Sequence, residues 1–75
     1  METIKFTPAN PTIGWLHKQS VNDTPSFHAF CKMAQSDAFS ASRWLAAAVR
    51  IGYEDFTMDR LTNTDLDKII SATMA

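Results

Sequence analysis

The sequence predicts an all-α domain, a small bundle of about four to five short helices behind an extended N-terminal arm over residues 1–9. Three observations predict it. Apolar residues recur at helical spacing in several separate stretches. Capping residues, twice followed by proline, stand just ahead of those stretches. The chain has 75 residues, 45% of them apolar and 20% charged, which suits one small folded core rather than a disordered tail or two domains. A core of this size leaves little stability to spare, so a partner or a second copy would add to it.

The arm reads Thr3-Ile4-Lys5-Phe6-Thr7, alternating polar and apolar until Pro8 ends it. Asn10-Pro11 then offers a cap followed by proline at the first helical position, and Ile13 and Leu16 share a face, which predicts a first helix at about 11–19. Thr24-Pro25 repeats the signal. Phe27, Phe30, Cys31 and Ala34 follow at i, i+3, i+4 and i+7, predicting a second helix at about 25–35. Ser36-Asp37 supplies a break and a new cap. The third helix, about 38–51, carries the stripe Ala38, Ala41, Leu45, Ala48 and Val49, with Trp44 and Ile51 beside it and Arg43 and Arg50 opposite. Gly52 is placed to end it in the left-handed conformation. Phe56, Met58 and Leu61 fit a short helix capped by Asp55 or Thr57. Thr64-Asp65-Leu66-Asp67 opens the last helix with acids in its first turn, and Leu66, Ile69, Ile70 and Met74 form its apolar face. Leu45, Val49, Phe30, Ile69 and Ile70 are the expected core.

Composition narrows the class. Cys31 is the single cysteine, so a disulfide-built secreted scaffold is not expected. Residues 1–6 lack the basic-then-apolar pattern of a signal peptide, and the longest apolar run, Trp44 to Val49, is far too short to span a bilayer. A cytoplasmic protein without membrane contact is the expectation. Net charge is −1 and unevenly placed: residues 1–50 hold five Lys/Arg and three Asp/Glu, and residues 51–75 hold two and five. A generic nucleic-acid binder is usually basic overall, so nucleic acid would need a local patch here.

Catalytic chemistry has little to stand on, and the expectation is a protein that is not an enzyme and carries no metal or cofactor. His28 and Cys31 are three apart and could neighbour each other, but a free cysteine on an apolar face is more often a small core residue. With His17 and an acid they match no zinc-ligand spacing. The chain has only Gly14 and Gly52, so it holds no phosphate-cradling glycine loop. Glu54, Asp55, Asp59, Asp65 and Asp67 do not follow the calcium-loop order and read as caps and a solvated face, or as an acidic surface for a basic partner.

Residues 30–45, Phe-Cys-Lys-Met-Ala-Gln-Ser-Asp-Ala-Phe-Ser-Ala-Ser-Arg-Trp-Leu, resemble the helix-turn-helix of Cro- and repressor-type DNA-binding proteins. On that resemblance Phe30 and Ala34 are first-helix core, Cys31 takes the small position where the helices cross, and Ala41 and Trp44 anchor the second helix. Asp37, Ala38, Ser40 and Arg43 would face DNA on that resemblance, with Ser40 and Arg43 as the candidate reading residues. The chain departs from the family's pattern at Gln35, where glycine is usual in the turn, and at Ser36, where an aliphatic residue is usual.

A second reading rests on the surface. Two Trp, five Phe, one Tyr and three internal Met are many large side chains for so small a core. Trp15, Phe39 or Tyr53 is expected outside, and exposed aromatics beside arginine favour protein interfaces. Trp15, Arg43, Trp44, Arg50 and Tyr53 are the candidate interface, with another protein or a second copy (a homodimer) as partner. An adaptor, a subunit or a stoichiometric inhibitor fits. In size and type the chain is similar to small accessory proteins of phages and mobile elements.

Overall fold

The computed structural model describes residues 10–74; the expected arm at 1–9 lies outside the described residues. Four α-helices follow in order: α1 (Ile13–Val21), α2 (Pro25–Ala34), α3 (Ala38–Arg50) and α4 (Asn63–Met74), with a 3₁₀ turn over Met58–Arg60 before the last. α3 is the longest, as expected, and sits centrally against α1 and α4. α2 packs mainly on α1 and only lightly on α3.

Each start has a chemical cause. Thr24 and Asp37 cap α2 and α3, their side chains accepting from the Phe27 and Ser40 N–H groups. α1 begins two residues later than expected. Its cap is Thr12, which accepts from the Trp15 N–H, not Asn10. Thr12 is held extended by an antiparallel bridge to Thr57, so the helix starts only after it. α4 also starts earlier than its Thr64 signal. The Thr62 hydroxyl accepts from the Asp65 N–H at 3.2 Å while Asp65 accepts from the Thr62 N–H at 2.9 Å. This is a reciprocal capping box with aspartate as the acid. The short helix expected over 53–62 is the 3₁₀ turn, preceded by Thr57, whose hydroxyl turns to Asp59 instead of capping.

Among the described residues three turn positions use positive φ. Asp23 (φ +53°) lies between α1 and α2, Gln35 (φ +54°) ends α2 without a glycine's freedom, and Gly52 (φ +102°) follows α3 as expected.

The core is Ile13 and Leu16 of α1, Phe27 and Cys31 of α2, Ala41, Leu45 and Ala48 of α3, Tyr53, and Ile69 of α4. Leu45 and Ile69 are fully enclosed, and Phe30 and Val49 pack half-buried against them. Ile70 departs from expectation: α4 packs chiefly on α3, so its buried stripe is narrow and Ile70 is left 45% exposed. Gly14, which reads as a weak point in α1, allows a close approach. The Ile13 and Gly14 N–H groups donate to the Phe56 and Glu54 carbonyls, both at 2.8 Å, and a Cβ on Gly14 would lie 3.0 Å from the Glu54 oxygen. These bonds satisfy two of the donors that a helix leaves unpaired at its N-terminus.

Candidate functional site

Several polar side chains of the surface are bonded within the fold, and others, among them Lys18, Lys32, Glu54, Asp55, Asp67 and Lys68, face solvent. The Arg43 and Arg50 guanidiniums, one side of α3, donate to the Thr73 and Ala72 carbonyls, each at 2.7 Å. Those carbonyls end α4 and have no partner within the helix, and positive charge is favoured there. Asp37 caps α3 and accepts from both the N–H and the hydroxyl of Ser40. These bonds hold its carboxyl below the usual carboxylate range, the Ser40 N–H contributing most. Asp65 accepts from the Tyr53 hydroxyl at 2.6 Å and from Thr62. The Tyr53 bond, then the Thr62 bonds, lower its pKa, and the same bond to Asp65 is the first cause that raises that of Tyr53.

The interface candidates therefore separate. Tyr53 is a correction: it is buried, edge-on to Phe56 at 4.8 Å, with its hydroxyl turned inward to Asp65. A residue just past a helix C-terminus reads as surface, but here the 53–56 segment folds under α1. Trp15 is half-buried and packed against the core. Arg43 and Arg50 are exposed, and each holds the end of α4. Trp44 is half-buried and lines a groove.

That groove, about 610 Å³, opens where α2 diverges from the first half of α3. Phe30, Ala41 and Trp44 line it, with Met58 and Met74 on its other sides and Arg43 and Ser36 at its polar edge. Phe39 stands beside it, 70% exposed, with the Arg43 guanidinium 5.5 Å from its ring centre. Met33, one turn on from Phe30, is 60% exposed, and Met74 is 76% exposed. Sequence reasoning missed Phe30, Met58 and Met74 as one surface, because no spacing joins three elements. The usable signal was the surplus of Met and Phe.

The residues weighed for chemistry are not assembled. Burial, then the Asp37 charge, pushes the Cys31 thiol up, which disfavours the thiolate. The Nε2 of His28 lies 2.7 Å from the exposed Asp23 carboxylate. Among the described residues no group of three or more His, Cys, Asp or Glu could hold a metal ion. Nor is any described helix long and apolar enough to cross a membrane.

The helix-turn-helix segment has part of the expected geometry. Gln35 takes the left-handed turn conformation that glycine gives that family, and Cys31 is buried in the core. Of the positions that the resemblance would turn toward DNA, Ser40 is bonded to Asp37 and Arg43 to Thr73.

These features define a small all-α domain with an apolar groove flanked by exposed aromatic and methionine side chains. No protein-family profile matches the chain, and no curated protein or solved structure matches it either.

Proposed function

We propose that this protein works by stoichiometric binding to another protein or to a second copy of itself, through the groove between α2, α3 and the end of α4, without catalysis. The observation that carries the reading is the gathering of Phe30, Trp44, Met58 and Met74 around one opening, with the exposed Phe39 under Arg43 at its edge. Large apolar side chains left in water at one place mark an interaction surface, and methionine adapts its shape to a partner. Aromatic residues beside an arginine supply the anchors that dominate such interfaces.

The DNA-binding alternative draws on the left-handed Gln35 turn. Its weakness is the reading edge, where Arg43 is the one cation among the described residues lining the groove and is already bonded to α4. Phe30, Ala34, Ala41, Trp44, Met58 and Met74 make most of the groove wall apolar, which a phosphate backbone does not match, so the protein reading accounts for more of the surface.

The test is affinity capture from the native cell with the intact protein and with a Met58→Glu/Met74→Glu variant. Both side chains are exposed, so the variant should keep the circular dichroism and melting of the original. A stoichiometric partner, another protein or a second copy, should be retained by the first and lost by the second. Equal capture by both, or binding of duplex DNA that Arg43→Ala abolishes, would sink the reading.

A further inference from the structure

Resting on that reading, we infer that the groove's occupant is a second copy of this chain, in a twofold dimer that seats Phe39 of each copy in the groove of the other.

A twofold interface presents the same patch on both partners, so the patch must carry both a projection and a recess. This face does. Phe39 projects from the first turn of α3, and the recess floored by Trp44 and Phe30 opens next to it. The projection is held in place before any contact forms. Its ring lies under the Arg43 guanidinium, and Arg43 is tied to the Thr73 carbonyl at 2.7 Å. A side chain already ordered loses less freedom on binding.

The area approaches the right size. Phe39, Met58 and Met74 are 70%, 37% and 76% exposed. At about 190 Å² for side chains of this size, they offer roughly 350 Å². Twofold pairing doubles this to roughly 700 Å², and the groove's half-buried Phe30 and Trp44 and exposed Ala34, Ser40 and Arg43 add to it on both copies, toward the roughly 1,000 Å² at which specific interfaces begin. Charge also permits it. The edge of the patch carries both signs, Asp37 and Arg43, and a net charge of −1 sets up little repulsion between copies.

The experiment is sedimentation velocity on the pure protein over a wide concentration range, beside Phe39→Asp and Arg60→Ala. Arg60 is exposed and lies outside the patch. Circular dichroism checks that all three fold alike. The inference expects reversible dimers of the wild type and of Arg60→Ala, and a dissociation constant raised roughly tenfold or more by Phe39→Asp. A wild-type protein that stays monomeric to about millimolar concentration overturns it. So does a dimer that Phe39→Asp leaves intact. A strict monomer that still captures a different protein in a Met58- and Met74-dependent way overturns the dimer alone and leaves the protein-binding reading standing.

Discussion

Replacing Gly14 with alanine sets local preference against tertiary packing, and the two predict opposite signs. On helix propensity alone, alanine inside α1 should stabilise by about 0.5–1 kcal/mol. The packing says otherwise. The new Cβ would sit 3.0 Å from the Glu54 carbonyl oxygen and 3.3 Å from the Glu54 Cβ. The nearer contact is backbone, so the 53–56 segment must retreat by a few tenths of an ångström. That segment accepts the Ile13 and Gly14 N–H groups, both at 2.8 Å. Overpacking of this kind costs about 1–3 kcal/mol, and weakening either bond adds a share of its ~0.5–1.5 kcal/mol. After the propensity gain is set against this, Gly14→Ala should destabilise by about 1–3 kcal/mol. In a domain of this size that lowers Tm by roughly 5–20 °C.

The assay is thermal and urea unfolding followed by circular dichroism. The same retreat should reach the groove, because Thr57 pairs with Thr12 and Met58 follows it into the groove wall. A Gly14→Ala protein as stable as the original, or more so, would refute the packing argument and leave helix propensity in charge of that position.

Two further outcomes follow from the same structure. Asp65 and Asp37 are held below the ordinary carboxylate range by the bonds they accept, so they stabilise the fold above the unfolded carboxylate pKa, and that contribution is lost as pH falls through their lowered folded values. Tyr53, raised by its bond to Asp65, contributes below the ordinary tyrosine pKa and loses its contribution as pH rises through the raised value. Asp65→Asn should flatten both limbs of a stability–pH profile, and an unchanged profile would refute the assignment. Gln35→Gly should stabilise by about 0.5–1 kcal/mol, because a non-glycine residue in the left-handed region costs more than the glycine's extra unfolded freedom. A loss of stability in urea titration would show that the Gln35 side chain offsets that strain.

Much of the fold was legible because it rests on local rules. The Thr24-Pro25 and Asp37 caps, the Gly52 stop and the stripe Ala41, Leu45, Ala48 all act within a few residues, and each lies where its spacing placed it. The errors come where a distant segment intervenes. Thr57 reaches Thr12 and delays α1; the 53–56 loop tucks under α1 and buries Tyr53; α4 meets mainly α3 and leaves Ile70 in water. The groove was the least legible feature. Its walls come from α2, α3, the 3₁₀ turn and α4, and no one-dimensional pattern links Phe30 to Met58 and Met74. Trp15, Phe39 and Tyr53 were flagged as surface aromatics from the excess of large side chains, and of the three Phe39 is exposed while Trp15 is half-buried and Tyr53 buried.

The distribution of satisfied and unsatisfied groups argues for where function lies. Among the described residues no buried side-chain nitrogen or oxygen lacks a hydrogen-bond partner. Four charged side chains are occupied as well: Arg43 and Arg50 on the last carbonyls of α4, Asp37 on the Ser40 N–H in the first turn of α3, and Asp65 on the Thr62 N–H just ahead of α4. A polar active site usually shows the reverse, with groups held in place and left unmatched for a substrate. At the groove, most of what the fold leaves open to solvent is apolar. α2 diverges from α3 after the left-handed Gln35 turn, and the wedge between them is filled only in its depth, by Cys31 and Ala41. Closing the wedge from within would need a larger residue at Ala34 or Ala41, and alanine stands at both. The opening is therefore written into the side-chain sizes along α2 and α3, and an apolar partner surface is the complement that removes it from water.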